Sequence, residues 1–124
     1  MAIYKRCYFI FLIGALGYSL IEVLWRGYTH PSMALLGGFC LIMIYYVNKI
    51  LLNLPRTAKA FICAILISIA ELLCGILVNV VLKLNVWDYS NQPLNLFGQI
   101  CPLYTLLWFC LSYIILYIID KNRL

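Results

Sequence analysis

The sequence predicts an all-α integral membrane protein, a bundle of four transmembrane helices with both termini in the cytoplasm. Three observations carry that reading. Of the 124 residues, 66% are hydrophobic and 10% charged, whereas a soluble domain has about 25% charged and about 45–50% apolar residues, so this chain cannot cover a water-facing surface. The apolar residues gather into four runs, each near the roughly 20 residues that cross a hydrocarbon core. The cations sort by side: Lys5, Arg6, Lys49, Arg56, Lys59, Lys121 and Arg123 fall on one, Arg26 and Lys83 on the other. The positive-inside rule then makes the first side cytoplasmic. A soluble enzyme, a disordered tail and a nucleic-acid module are excluded. The net charge of +5 rests on nine scattered Lys and Arg, which orient the chain in a bilayer rather than forming a basic patch.

The expected organisation is a single domain over residues 1–124. Its first span covers about 7–25 and follows Lys5 and Arg6. A basic start before an apolar core also describes a signal peptide, but the run reaches Glu22 and Trp25 without a clean small-x-small cleavage site. The second covers about 33–52, with Lys49 placed to snorkel near its end. The third covers about 60–82 and the fourth about 98–119. Pro31, Pro55 and Pro93 punctuate the connections. Residues 83–97 form the outer loop; Asn95 is expected to cap the fourth helix, and Pro102, inside it, to leave the carbonyl of residue 98 free. Six cysteines are spread over apolar runs without C-x-x-C spacing and read as small buried hydrophobes. No cofactor or metal is expected.

Polar residues within the spans carry the functional signal. A charge at bilayer depth costs about 2.5–3.5 kcal/mol on insertion scales, so such residues face a bundle interior or water and mark a site by default. Glu22 stands toward the outer end of the first span and Glu71 near the middle of the third. The plainer reading pairs Glu22 with Arg26 at i+4, or keeps either acid protonated. Cys63, Ile67, Glu71, Gly75 and Asn79 share a helical face beside Ala60, Ala64 and Ser68, the small and polar stripe that lets helices approach in lipid. Gly14, Tyr18, Glu22 and Arg26 align on the first helix, and Cys101, Thr105, Trp108 and Ser112 on the fourth. The outer stretch 85–98 is densest in polar and aromatic residues. It reads as an interfacial loop anchored by Trp87, Tyr89 and Phe97, or as a lid over the first and third helices with Asp88 as a third acid. Arg26 and His30 could reach the same place, although a solvated loop role suits His30 as well. One acid in each of the first and third helices, each helix followed by another span, suggests a two-helix parallel repeat.

Three blocks resemble one family: Gly17-Tyr18-x-x-x-Glu22-x-x-x-Arg26-Gly27-x-Thr29-His30 with Ser32-Met33 and Gly37-Gly38; Glu71-x-x-x-Gly75-x-x-x-Asn79; and Trp87-Asp88-Tyr89-Ser90-x-x-Pro93-x-Asn95-x-x-Gly98-Gln99-Ile100-Cys101, then Trp108. Together they are similar to the ABC-transporter type IV family of bacterial membrane proteins, and the third block is the specific one. The resemblance implies a polytopic, permease-like protein of the bacterial cytoplasmic membrane and adds Gln99 and Trp108 to the candidate residues. Similar proteins often carry Asn-Glu at the inner end of the second helix; here the pair is Asn48-Lys49, which removes any contact made by that acid.

The expected function is a transporter or transporter subunit that binds a cation or small polar solute in a carboxylate-lined, outward-facing cavity. Glu22, Arg26, His30, Glu71, Gly75, Asn79, Trp87, Asp88, Tyr89, Asn95, Gln99 and Trp108 are its candidate ligand-binding residues. The chain has no Walker A pattern, so energy from ATP would come from a separate ATPase subunit. The lipid bilayer and a second copy of the chain are further expected partners. One alternative is a proton-coupled exporter like the small multidrug resistance proteins, which also have four spans and a first-helix glutamate. Another is a non-transporting accessory or scaffold protein. An enzyme is not expected, because no nucleophile and base pair is visible.

Overall fold

The computed structural model describes residues 3–122. Among these it is helical, with no strand: α1 (Ile3–Arg26), α2 (Pro31–Ile50), α3 (Arg56–Gly75), which continues as a π-helix over Ile76–Val81, and α4 (Pro102–Lys121). All four helices are long and apolar enough to cross a membrane. Their outer faces carry exposed Leu16, Leu24, Phe39, Ile50, Phe61, Leu73 and Leu106. In water so much apolar surface would drive association; acyl chains are its natural solvent. Arg123, one of the cations counted above, lies outside the described residues.

The chain divides into two compact units, one ending at Tyr46 and one starting at Val47. In the first, α1 ends where Gly27 takes a φ of +86° and its N–H bonds to the Val23 carbonyl at 2.8 Å, a left-handed stop that glycine adopts without a Cβ penalty. After a short turn, Pro31 opens α2 at the position where its missing N–H removes no helix bond. Three glycines set how closely α1 and α2 approach. A Cβ on Gly14 would stand 2.7 Å from the Gly37 carbonyl oxygen, one on Gly37 2.5 Å from the Tyr18 Cβ, and one on Gly38 2.6 Å from the Phe11 ring. Phe11 in turn meets Phe39 edge to face, with centroids 5.4 Å apart. Without water to squeeze out, helices in lipid associate through close backbone packing of this kind.

The second unit is built on α3 and α4, which run antiparallel. Ala60, Cys63, Ala64, Ile67, Ser68, Glu71, Gly75 and Val78 are buried along one side of α3 and its π-helical extension, the small and polar stripe expected from the spacing. Ser112, Leu116 and Ile119 are the buried residues of α4. Midway, the Ser68 and Thr105 hydroxyls bond at 2.8 Å. At the end carrying the α3 N-terminus, Asn48 donates to Asp120 at 3.1 Å and accepts from the Lys59 ammonium at 2.9 Å. Arg56 adds a 3.4 Å ion pair with Asp120.

Three helix starts differ from the sequence expectation, and the first is α1, which begins at Ile3 rather than near 7. α3 begins at Arg56 rather than near 60, because Pro55 sits at the N-cap position with extended backbone (φ −66°, ψ 157°) and starts the helix directly. Arg56 and Lys59 therefore belong to its first turn, and Lys59 is buried. α4 begins at Pro102 rather than 98, with Cys101 extended before it. The proline stands at the first helical position, so no interior hydrogen bond is lost and no carbonyl is freed. Asn95 is not the cap of this helix.

Gly37→Ala should weaken the α1–α2 pairing by about 1–3 kcal/mol, the range for overpacking a closed contact. Gly17→Ala, with open space at its Cβ, should not weaken it and should raise stability by up to about 1 kcal/mol, since alanine is the better helix former. Thermal unfolding of both variants in the same detergent checks the contrast.

Candidate functional site

Most polar residues within the apolar helices find partners, in different ways; the wholly buried Ser112 hydroxyl of α4 has none among the described residues. Glu22 is buried and satisfied on its own helix: Tyr18 donates to Oε1 at 3.0 Å and the Arg26 Nε to Oε2 at 2.7 Å. The Arg26 guanidinium also lies over the Tyr28 ring, 4.6 Å from its centroid. The i+4 pairing weighed from the sequence is therefore present, and both carboxylate oxygens are engaged. His30 caps α2. Its Nδ1 accepts the Ser32 N–H at 3.1 Å and lies 2.8 Å from the Ser32 hydroxyl, while its carbonyl accepts from Met33 at 2.9 Å. That is a helix-start role, set by residues next to it in sequence.

Glu71 is different. It is 1% exposed, faces into the second unit, and its Oε2 accepts from the Tyr89 hydroxyl at 3.3 Å. Tyr89 belongs to the connection between the π-helix and α4, and its ring stacks on Tyr104 of α4 at 4.6 Å with an interplanar angle of 7°. The connection thus folds back over α3. One turn beyond Glu71, a Cβ on Gly75 would stand 2.3 Å from the Gln99 Oε1 and 2.9 Å from the Trp87 ring; the glycine makes room for both. Gln99 and Trp87 are buried. The Trp87 indole N–H donates to the Gln99 carbonyl at 3.0 Å, and the Gln99 amide N–H to the Phe97 carbonyl at 2.9 Å.

Asn79, on the π-helix, ties the two sides together. Its Nδ2 donates to Gln99 Oε1 at 2.8 Å, and its Oδ1 accepts the Val86 N–H at 2.6 Å and the Trp87 N–H at 3.4 Å. Asp88 and Asn95 shape the connection itself. Asp88 Oδ1 accepts the Ser90 N–H at 2.9 Å, a side-chain turn, and this backbone bond, helped by the Ser90 hydroxyl, holds the carboxyl below its ordinary value of 3.8. Asn95 donates to the carbonyls of Ser90 and Gln92 and accepts the Gly98 N–H at 2.9 Å. Lys83, Asn85, Leu94, Phe97 and Gly98 have positive φ, between +54° and +72°, a conformation that side-chain-bearing residues seldom adopt unless their surroundings impose it.

Of the sequence-predicted residues, Glu71, Gly75, Asn79, Trp87, Tyr89 and Gln99 converge on one cluster, and Asp88 and Asn95 build the loop that supplies half of it. Trp108 lies half-buried on α4, one turn beyond Thr105. Glu22, Arg26 and His30 belong to the other unit. The same connection also roofs an open groove of about 780 Å³ between α3 and α4, lined by Phe61, Ile65, Leu94, Leu96, Leu106 and Phe109 among others, with no carboxylate in its walls. Sequence reasoning missed the Asn48–Lys59–Asp120 cluster. Its signal was Lys59 one turn into an apolar helix, which reads as loop once the helix start is set too late.

These features define a four-span membrane protein with a polar cluster sealed by the connection before its last helix. The family described as "Putative ABC-transporter type IV" matches residues 8–123, and the chain belongs to it. Among curated proteins nothing matches, and no solved structure does.

Gly75→Ala should displace Gln99 and Trp87, since the added Cβ meets both, and should be read as a lower melting temperature with altered Trp fluorescence. For Asp88, whose folded value is depressed, the turn's stabilisation is present above pH 3.8 and is lost as pH falls through the lower folded value. Asp88→Asn should remove that part of the acid dependence, as followed by Ser90 amide exchange.

Proposed function

We propose that the chain is the membrane-embedded part of a transporter, in which Glu71 binds a cation or a small polar solute within an outward-facing cavity that opens beneath Tyr89. The observation that carries this reading is a carboxyl group almost wholly withdrawn from the surface on a membrane helix, with a hydroxyl from a loop among its partners. Ionisable groups at that depth are costly to place and mark substrate, ion and proton pathways by default. Membership of a family named for ABC transporters supports energy from a separate ATPase subunit, and four spans favour assembly with a second copy or another membrane subunit. The cation distribution favours cytoplasmic termini and an external 82–101 connection, in a bacterial cytoplasmic membrane.

A non-transporting accessory role is the second reading, favoured by the local closure of Glu22 by Tyr18 and Arg26. The same closure weighs against a small exporter that works through a first-helix glutamate. Proteoliposomes separate these readings, with rubidium and proton flux followed in the presence and absence of co-reconstituted partner subunits. Glu71→Gln should abolish flux while the melting temperature stays within a few degrees. Glu22→Gln should lower stability by about 1–3 kcal/mol, the range for a hydrogen bond to a charged group, and leave residual flux. Unchanged flux in Glu71→Gln would rule out Glu71 as the ligand, and no flux from the natural chain above protein-free liposomes, with a melting temperature shifted by Glu71→Gln, would favour the accessory role instead.

A further inference from the structure

We infer that residues 86–100 form a rigid lid that moves as one body, hinged on the π-helix and latched shut by Asn79. As a gate it rests on the reading of Glu71 as the ligand carboxylate; as a moving part it stands on its own geometry. The segment is closed internally. Tyr89 N–H bonds to the Gly98 carbonyl at 2.7 Å, Gln92 N–H to the Tyr89 carbonyl at 2.8 Å, and Leu96 N–H to the Ile100 carbonyl at 2.9 Å. The Trp87 indole spans to the Gln99 carbonyl, and Asp88 and Asn95 fill the remaining turns. A loop with that many bonds of its own keeps its shape without the helices beneath it.

Two side chains provide polar ties between it and the helix beneath, Tyr89 and Asn79. Tyr89 reaches Glu71 at 3.3 Å. The stronger set belongs to Asn79, which holds both ends of the loop at once, Val86 and Trp87 on one strand and Gln99 on the other. Asn79 itself sits inside the π-helix, where Leu82 N–H reaches back to Leu77 and Leu84 N–H to Val78. A π-helix holds its extra residue only while tertiary contacts keep it there, and such segments recur at functional sites. Settling Ile76–Val81 into α-helical register would turn Asn79 off its partners by up to about 100°, one residue's rotation. Lys83 and Asn85, both at positive φ, follow immediately and would relax with it. At the far end, extended Cys101 before Pro102 supplies the second pivot.

The test uses the full chain in nanodiscs and two readouts. With the six native cysteines replaced by alanine, a cysteine is introduced by Glu71→Cys and titrated with a small water-soluble thiol reagent, alone and with Asn79→Ala or Asn79→Asp. In the chain with its natural Glu71 and cysteines, amide exchange is measured for each Asn79 variant. Asn79→Ala should raise the labelling rate at position 71 by about tenfold, as expected for loss of roughly 1.4 kcal/mol of net hydrogen bonding. Asn79→Asp, which keeps the acceptor for Val86 and Trp87 but not the donor for Gln99, should raise it less. In both, the Tyr89, Gln92, Leu96 and Gly98 amides should keep their protection. If labelling rises while those amides lose protection together, the loop unravels and the rigid lid is wrong. If neither Asn79 variant changes labelling, Asn79 is no latch. A Glu71→Gln protein without flux but with intact latch behaviour would leave the lid standing and separate it from the transport reading.

Discussion

A bilayer interior offers no water, so every polar group placed there must be closed by the protein itself. The second unit is organised by that constraint. Glu71 lies on a helix whose other faces are apolar, and the chain answers by folding twenty residues of connection back over it, with Tyr89 supplying the hydroxyl. Once the connection is turned inward its own backbone must be satisfied too. Trp87, Asp88, Asn95 and Gln99 do this by bonding to main-chain groups. Gly75 follows from the same requirement, because any side chain there would occupy the place of Gln99 and Trp87.

Most polar residues elsewhere obey the constraint by shorter routes, the buried Ser112 hydroxyl being an exception. Glu22 is closed by Tyr18 and Arg26 within two turns of one helix, and His30 by the helix start it caps. Asn48, Lys59 and Asp120 are closed across three helices at the opposite end of the second unit. On the reading proposed above, local closure leaves an acid with little to do beyond folding, and closure by a long connection leaves one that can be uncovered. That contrast in how far each partner comes from, rather than burial alone, separates Glu71 from Glu22 as a candidate for function.

Backbone conformation follows the same logic. The π-helix at Ile76–Val81 and the positive φ values at Lys83, Asn85, Leu94 and Phe97 are unfavourable by themselves and persist because the side-chain bonds around them hold them. The groove under Leu94 and Leu96, by contrast, is mostly apolar, with Thr105 its one hydroxyl-bearing wall residue.

The sequence by itself determined the class of protein, the number of helices and the buried stripe on α3, since each depends on composition and period: lipid rewards apolar runs of one length, and helical spacing puts Ala60, Ala64, Ser68, Glu71 and Gly75 on one side. It also contained both candidate partners of Glu22, because four residues apart is one turn away. Only the tertiary structure decided that α4 starts at Pro102, that Asn95 serves the loop rather than the helix, and that Lys59 is buried against Asn48. These depend on contacts between residues far apart along the chain, as with Tyr89 over Glu71 and Asn79 against Gln99, and on a π-helical register that no apolar period announces. Pairings across twenty residues are set by where the connection comes to rest, and that is a property of the packed molecule.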